Sequence, residues 1–250
     1  MPGLPGSSFN KPIMSNNYFQ FTEFRIEQEQ CAMKVTTDAC IQGAWTPVLP
    51  RVKHVLDIGA GTGLLSLMLA QRAQDVVIDG VEFDENAAVQ AKENVNVSQW
   101  KERIKIHEAD ARNYTAPVKY DLIISNPPFF NDSLLSDKER KNMARHTLSL
   151  TYSDLLKVLD ANLAEDGYTS IMLPYPEYQK WQTLLAQNEW FELSRLCVKH
   201  TNAAPVKRVV GLFSRKNVLT VDEQELVIMG DDNKYTSSFV ELLSPFYLNL

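Results

Sequence analysis

Short apolar runs recur along the chain and alternate with segments of helical periodicity. Five runs predict buried strands: His54–Ile58, Val76–Val81, Ile104–Glu108, Tyr120–Ser125 and Tyr168–Leu173. Four segments predict helices: Leu64–Arg72, Asn86–Val97, Ser153–Leu163 and Glu177–Gln187. This alternation predicts an α/β fold with a doubly wound, mostly parallel sheet that carries helices on both faces.

The pattern changes after residue 188. Trp190–Lys199 and Val206–Ser214 predict two strands with no helix between them, which favours an antiparallel pair at the sheet edge. Val218–Met229 predicts a further strand or hairpin, and Ser237–Leu243 predicts a short final helix.

Two segments precede this alternating pattern in the chain. Residues 1–16 contain ten Pro, Gly, Ser or Asn residues, so we expect a disordered leader, with Met14 an alternative start. Residues 17–50 predict a short N-terminal hairpin or extension that leads into a helix near Asp38–Thr46, which stops before Pro47. Residues 51–250 then form the main domain.

Composition narrows the class of protein. The chain has 250 residues, is 44% apolar and has a net charge of −6. No apolar run approaches 18 residues and no secretory signal is present, so we expect a cytoplasmic protein with no membrane span. Four dispersed histidines and three isolated cysteines show no metal-ligand spacing, so we expect no metal and no disulfide.

A glycine-rich loop follows the first predicted strand of the main domain. Its pattern is Asp57-x-Gly59-x-Gly61-x-Gly63, and glycines let the backbone approach a ligand closely. The dinucleotide fingerprint G-x-G-x-x-G requires glycine where Leu64 stands. An acid at the strand end suits a ligand ammonium or an ordered water. S-adenosylmethionine therefore fits this loop better than a pyrophosphate does.

Two further acids follow strands of the predicted sheet. Glu82 ends the next strand, where a carboxylate accepts both hydroxyls of a ribose. Asp110 follows the third strand and is a candidate acceptor for the amino group of the cofactor's adenine. The alternatives are a carboxylate at a helix start for Glu82 and a plain turn residue for Asp110.

Asn126-Pro127-Pro128-Phe129 stands directly after the strand Tyr120–Ser125. The oxygen of Asn126 and a prolyl carbonyl can accept hydrogen bonds from a flat group's NH2, and the ring of Phe129 or Phe130 can stack on its plane. Proline fixes φ, so the loop shape is preset before a ligand arrives. With the glycine loop, this slot predicts methyl transfer to an exocyclic amino nitrogen.

Positive charge is concentrated in two stretches. The stretch Leu193–Val221 has no acidic residue and includes Lys199, Lys207 and Arg208. A second cluster, after the NPPF motif, includes Arg145 and His146. Such faces can neutralise phosphates on an acidic protein, and the alternative is two ordinary solvated faces.

The order of glycine loop, acid, Asp and NPPF resembles class I S-adenosylmethionine-dependent amino methyltransferases over about residues 50–215. Three features are similar to the bacterial tRNA(Val) adenine-N6 methyltransferase family, which acts beside the anticodon. They are the stretch Lys34–Trp45, the run Ala144-Arg145-His146, and Lys207-Arg208-Val209-Val210 with the ending Phe246-Tyr247-Leu248.

The resemblance implies a Rossmann-like, seven-stranded sheet whose last strand is antiparallel. It implies that Lys34, Thr37 and Asp38 help to close the cofactor site and that the substrate is tRNA. We expect a monomer or a weak dimer. Other enzymes with this motif modify guanine N2 in rRNA, adenine in DNA or a glutamine amide in proteins, and these substrates stay open.

Overall fold

The computed structural model describes residues 17–31, 33–116, 118–127 and 150–250, and it contains one large sheet and one hairpin. The strands are β1 (Tyr18–Gln20), β2 (Arg25–Glu27), β3 (His54–Ile58), β4 (Val77–Glu82), β5 (Ile104–Glu108), β6 (Tyr120–Ser125), β7 (Leu163–Pro174), β8 (Phe191–Lys199), β9 (Arg208–Ser214) and β10 (Asp222–Val227). The helices are α1 (Thr37–Trp45), α2 (Leu64–Arg72), α3 (Glu85–Asn96), α4 (Tyr152–Asn162), α5 (Tyr175–Gln187) and α6 (Ser237–Leu243).

The large sheet has the strand order β10-β8-β9-β7-β6-β3-β4-β5. All neighbouring strands run parallel except β9, which is antiparallel to both β7 and β8. The strand order reverses direction at β3, because β4 and β5 lie on one side of β3 and β6 lies on the other. In open α/β sheets, such a switch point is where ligands bind.

The sheet has eight strands where the resemblance implied seven. The extra strand, β10, lies within the predicted segment Val218–Met229 and forms the edge beyond β8. Only Leu226 of β10 is buried, so burial gives this strand little of its stability. Two cross-strand ion pairs, Arg195–Glu223 and Lys199–Glu225, join it to β8. The pair β8–β9 is antiparallel as predicted, but β9 lies inside the sheet.

Alternation along the strands sends side chains into two cores. In β3, Val55 belongs to a core that includes α1, α2, α3 and α6, while Leu56 belongs to the core beneath α4 and α5. A period of two in the side chains requires this division. Both faces of the sheet are therefore covered, which confirms the doubly wound arrangement.

The N-terminal hairpin packs into the first of these cores. Phe21 and Ile26 are fully buried, and the rings of Phe21 and Phe24 stack with centroids 4.5 Å apart. The amide of Thr22 donates to the carbonyl of Phe246, 2.8 Å away, so the hairpin also joins the C-terminal segment. Residues 17–50 thus share a core with the sheet. No helix within the described ranges is long and apolar enough to cross a membrane.

Helix α5 lies close against β9 because residue 211 is glycine. A Cβ there would overlap the hydroxyl of Tyr178, which is fixed by a 2.5 Å hydrogen bond to Glu192. We predict that Gly211→Ala lowers the free energy of unfolding by about 1–3 kcal/mol through overpacking. Urea denaturation measures this loss. Gly230→Ala is the control, since its Cβ would meet the side chain of Asp232 at 3.1 Å in an exposed turn. Equal losses would contradict the prediction.

Candidate active site

The carboxyl ends of β3, β4 and β6 lie side by side. Ile58 is in register with Val81 of β4 and Ser125 of β6. Residues Gly59, Glu82 and Asn126 follow these three positions directly. Neighbouring strands are about 4.8 Å apart, so the glycine loop lies between the acid and the amide at the switch point. Three predicted features from separate parts of the sequence are brought together here.

The glycine loop adopts a backbone that only glycine adopts without strain. The φ angles of Gly59, Gly61 and Gly63 are +73°, +56° and +81°. Among the described residues, a Cβ on Gly59 would meet no atom within 4 Å, and one on Gly61 would meet only the carbonyl oxygen of Gly59 at 3.9 Å. The space beside these two residues is therefore open to a ligand, which makes the loop a cradle.

Asp57 lies beneath the cradle and is fully buried. Its Oδ2 accepts hydrogen bonds from the amide and the hydroxyl of Ser66, at 3.2 and 2.7 Å. Its Oδ1 is buried and has no hydrogen-bond partner among the described residues. Burial raises the pKa of Asp57 to about 7. Asp57 thus fixes the start of α2 and leaves one acceptor for a donor in the cradle.

Glu82 is held in place by two backbone amides. One carboxylate oxygen accepts from Gly61 at 2.8 Å, and the other accepts from Asp84 at 2.9 Å. Each oxygen keeps a second lone pair, so the group is preset to accept from two further hydroxyls. Phe83 follows it with 47% of its surface exposed. Phe83 is not among the residues predicted from the sequence, although an aromatic residue directly after a strand-end acid is a usable signal.

Asp110 is engaged by its own neighbour. Its carboxylate accepts from the guanidinium of Arg112 at 2.6–2.9 Å and caps a short 3-10 helix, Ala111–Asn113. The hydrogen bonds from Arg112 hold the pKa of Asp110 below its usual value. An adenine amino group would share this carboxylate with Arg112, and the predicted role of Asp110 stays a prediction.

One buried amide joins the N-terminal segment to the glycine loop. Asn94 of α3 donates through Nδ2 to the carbonyls of Glu27 and Thr62, both at 2.9 Å, and accepts from the amide of Glu27. The segment that leads from the hairpin towards Lys34 is thereby fixed beside the cradle. Asn94 is not among the residues predicted from the sequence, although a polar residue three positions after Ala91 interrupts the apolar face of α3.

Helix α1 begins at the same edge of the sheet. Thr36 caps it by accepting from the amide of Ala39, so Thr37 and Asp38 form its first turn. Asp38 forms a 3.0 Å ion pair with Arg208 at the start of β9. A residue predicted to close the cofactor site thus contacts a residue predicted to bind RNA. Both roles stay predictions, and the contact joins the two regions.

The end of β6, directly before Asn126, is held in place by hydrogen bonds of Ser125. The hydroxyl of Ser125 donates to the carbonyl of Ile58 at 2.8 Å, and Gln42 donates to the carbonyl of Ser125 at 3.0 Å. Asn126 is half-buried and Pro127 is buried. Phe129 lies outside the described residues. The described part of the slot therefore lies on a rigid strand end beside the cradle.

Comparison with known proteins agrees with this geometry. A family model described as "Methyltransferase small domain" matches residues 45–152. The tRNA1(Val) (adenine(37)-N6)-methyltransferase of Tolumonas auensis is 40% identical over 238 residues, which cover 95% of this chain and 99% of the relative. The Yersinia pseudotuberculosis enzyme of the same name is 39% identical over 242 residues, 96% of this chain and 95% of the relative.

The chain belongs to the tRNA1(Val) (adenine(37)-N6)-methyltransferase family. The crystal structure of a predicted O-methyltransferase from Agrobacterium tumefaciens superposes with a TM-score of 0.67 at 14% identity, over 86% of this chain and all of that one. These findings confirm the Rossmann-like class I methyltransferase fold. The narrower resemblance stated from Lys34–Trp45 and the C-terminal motifs is confirmed as well.

Most cations of the basic stretch Leu193–Val221 are paired with acids in the structure. Five of its cations form ion pairs with acids from elsewhere in the chain, since strand pairing and neighbouring turns bring those acids close. The pairs are Arg195 with Glu223, Lys199 with Glu225, Arg208 with Asp38, Arg215 with Asp160 and Lys216 with Asp166. The RNA-binding role of this stretch stays a prediction, and these five cations are engaged by acids of the same chain.

Lys207 differs from these five cations. It is exposed, and no acidic partner for its ammonium occurs within the described ranges. Arg145 and His146 lie outside the described residues. No group of three or more His, Cys, Asp or Glu in the described part of the chain could hold a metal ion. Cys31, Cys40 and Cys197 are free and buried.

The raised pKa of Asp57 gives a pH dependence of stability in this methyltransferase. Because the folded state binds this proton more tightly than the unfolded state, stability is full near pH 4 and falls as pH rises to about 7. Three pKa units correspond to a loss of up to about 4 kcal/mol. We predict that Asp57→Asn removes this fall. Urea unfolding across that pH range checks it, with the exposed Asp75→Asn as control. Parallel pH curves for Asp57→Asn and the unmodified chain would contradict it.

Proposed function

We propose that this protein transfers the methyl group of S-adenosylmethionine to N6 of adenine 37 in tRNA1(Val). The observation that carries the proposal is the position of Asn126 and Pro127 directly after β6, one strand away from the open glycine cradle that follows β3. This arrangement puts an acceptor for an NH2 group beside the site of a methyl donor. The names of the relatives supply the substrate.

The cradle residues fit S-adenosylmethionine, whose sulfonium supplies the electrophilic methyl group when it is bound. Gly59 and Gly61 would leave room for the cofactor close to the backbone of the loop. The carboxylate of Glu82 would accept hydrogen bonds from its ribose hydroxyls. The unpartnered Oδ1 of Asp57 would accept from its ammonium or from a water beside it. Phe83 would cover its adenine, while Lys34, Thr37, Asp38 and Asp110 would line the rim.

The proposed methyl transfer does not require a strong general base from the protein. The lone pair of adenine N6 is delocalised into the ring, so the nitrogen is a weak nucleophile. Asn126 and the carbonyl of Pro127 would accept hydrogen bonds from the NH2 and hold its lone pair towards the methyl group, which is a positioning contribution. The nitrogen becomes acidic as it is methylated, so water can take the proton. Phe129 would stack on the base.

The proposed substrate contacts are few. Lys207 would neutralise a phosphate directly, whereas Lys199 and Arg208 would have to exchange an internal ion pair for a phosphate contact. Arg145 and His146 after the NPPF motif would complete the surface. A target base in an anticodon loop is already unpaired, which lowers the cost of extruding it into the slot.

We predict that Glu82→Gln weakens the binding of S-adenosylhomocysteine about tenfold to a hundredfold, because a charged acceptor for the ribose is lost. Isothermal titration calorimetry measures this affinity. The matched control is Glu85→Gln, an exposed carboxylate three residues further along in the first turn of α3. Unchanged affinity in the Glu82 variant, or binding of NADH instead, would count against the cofactor site.

We predict that Asn126→Ala lowers the single-turnover methylation rate about 100- to 1000-fold, with little change in cofactor affinity, because its contact strengthens in the transition state. Asn126→Asp keeps an acceptor oxygen at position 126 as well as the carbonyl of Pro127, so this variant should retain substantial activity. Labelled S-adenosylmethionine with total tRNA, rRNA, DNA and protein identifies the substrate. A wild-type rate for Asn126→Ala, or label confined to a fraction other than tRNA, would overturn the proposal.

A further inference from the structure

Beyond the residues already assigned, we propose that Tyr175 is a stacking platform for an unpaired nucleotide that neighbours the target adenine. The inference rests on the proposed function, since it concerns how the same site holds its RNA. Its elements are the position of Tyr175 relative to Asn126, the rigid presentation of its ring, and the charge around it.

Tyr175 stands at the same edge of the sheet as the proposed catalytic slot. Strands β6 and β7 are direct neighbours, with Ser125 in register with Ile171. β6 ends at this level and continues into Asn126, whereas β7 continues for three more residues to Pro174. At about 3.3 Å per residue, Tyr175 lies about 10 Å further out than Asn126 and one strand to the side. This separation is within the reach of a nucleotide adjacent to a base held at Asn126.

The ring of Tyr175 is presented to solvent by a stiff backbone. Tyr175 is 41% exposed, whereas most aromatic residues in the described part of the chain are buried or half-buried. Pro174 and Pro176 flank it and fix the φ angles on either side. Its amide donates to the carbonyl of Lys207 at 3.2 Å. An aromatic ring held in this way loses little entropy when a base stacks on it.

The charge around Tyr175 favours a nucleic acid over a peptide. That hydrogen bond puts Tyr175 beside Lys207, the exposed cation without an acidic partner in the described part of the chain. The nearest carboxylate of α5, Glu177, is engaged by Lys180 at 2.8 Å and by the hydroxyl of Tyr152 at 2.9 Å. An exposed ring for a base and a lysine for a phosphate, on two backbones joined by a hydrogen bond, are the kinds of group that bind single-stranded nucleic acid.

The test is a thermodynamic cycle between protein and RNA. Tyr175→Ala, Tyr175→Phe and the unmodified enzyme are titrated with tRNA transcripts in the presence of S-adenosylhomocysteine. Two further transcripts lack the base at one or the other nucleotide that flanks the target. We expect Tyr175→Ala to weaken binding of the intact transcript about 5- to 100-fold, and Tyr175→Phe to bind normally, because stacking needs only the ring. On one of the two abasic transcripts the effect of Tyr175→Ala should vanish.

Two controls separate stacking from a change in the fold. Val77→Ala removes an apolar side chain that is 46% exposed at the amino end of β4, and it should bind RNA normally. The Tyr175 variants should keep the affinity for S-adenosylhomocysteine and the urea midpoint. Normal tRNA binding by Tyr175→Ala, or an equal loss on all three transcripts, overturns the inference while wild-type methylation of tRNA leaves the proposed function intact. A wild-type enzyme that methylates no tRNA overturns both.

Discussion

The parallel register of β3 with β4 and β6 is the constraint on which the candidate site depends. It sets Ile58 level with Val81 and Ser125, so that a glycine loop, an acid and an amide emerge at neighbouring positions. A slip of one residue would turn each strand's side chains to the opposite face and bury the wrong set. The two-sided core penalises such a slip on both faces. Stability and site geometry therefore have the same origin.

Buried polar side chains then connect the loops to this frame. Asp57 holds Ser66, Asn94 links Glu27 to Thr62, and Gln42 reaches the carbonyl of Ser125. Each of these groups would be costly to bury without its partner, so the partners fix one arrangement of the loops. The N-terminal hairpin is joined to the glycine loop through Asn94, and its buried side chains Phe21 and Ile26 pack into the main core.

Much of the fold was predictable because strand–helix alternation and glycine punctuation are local signals. The boundaries of β3, α2, β5 and β6 match the predicted runs closely. β10 was harder to define, since its residues Asp222–Glu225 are exposed and its ion pairs with β8 are contacts between distant residues. For the same reason, Leu193–Val221 lacks acids in sequence and yet has most of its cations paired in space. The contacts of Asn94 and the role proposed for Tyr175 depend on tertiary neighbours, which the sequence pattern does not show.

The internal pairing of these cations has a consequence for how the enzyme meets the many RNAs of a cell. Non-specific attraction to RNA grows with the number of phosphates that free cations neutralise. This chain has a net charge of −6, and most cations of its basic stretch are paired with its own acids. It therefore gains little binding free energy from non-specific contacts with RNA phosphates. We therefore expect weak, salt-sensitive binding to bulk ribosomal RNA. Stable binding then depends on the shape of the RNA and on an unpaired loop. The net negative charge of the protein thus disfavours binding to other, abundant RNAs.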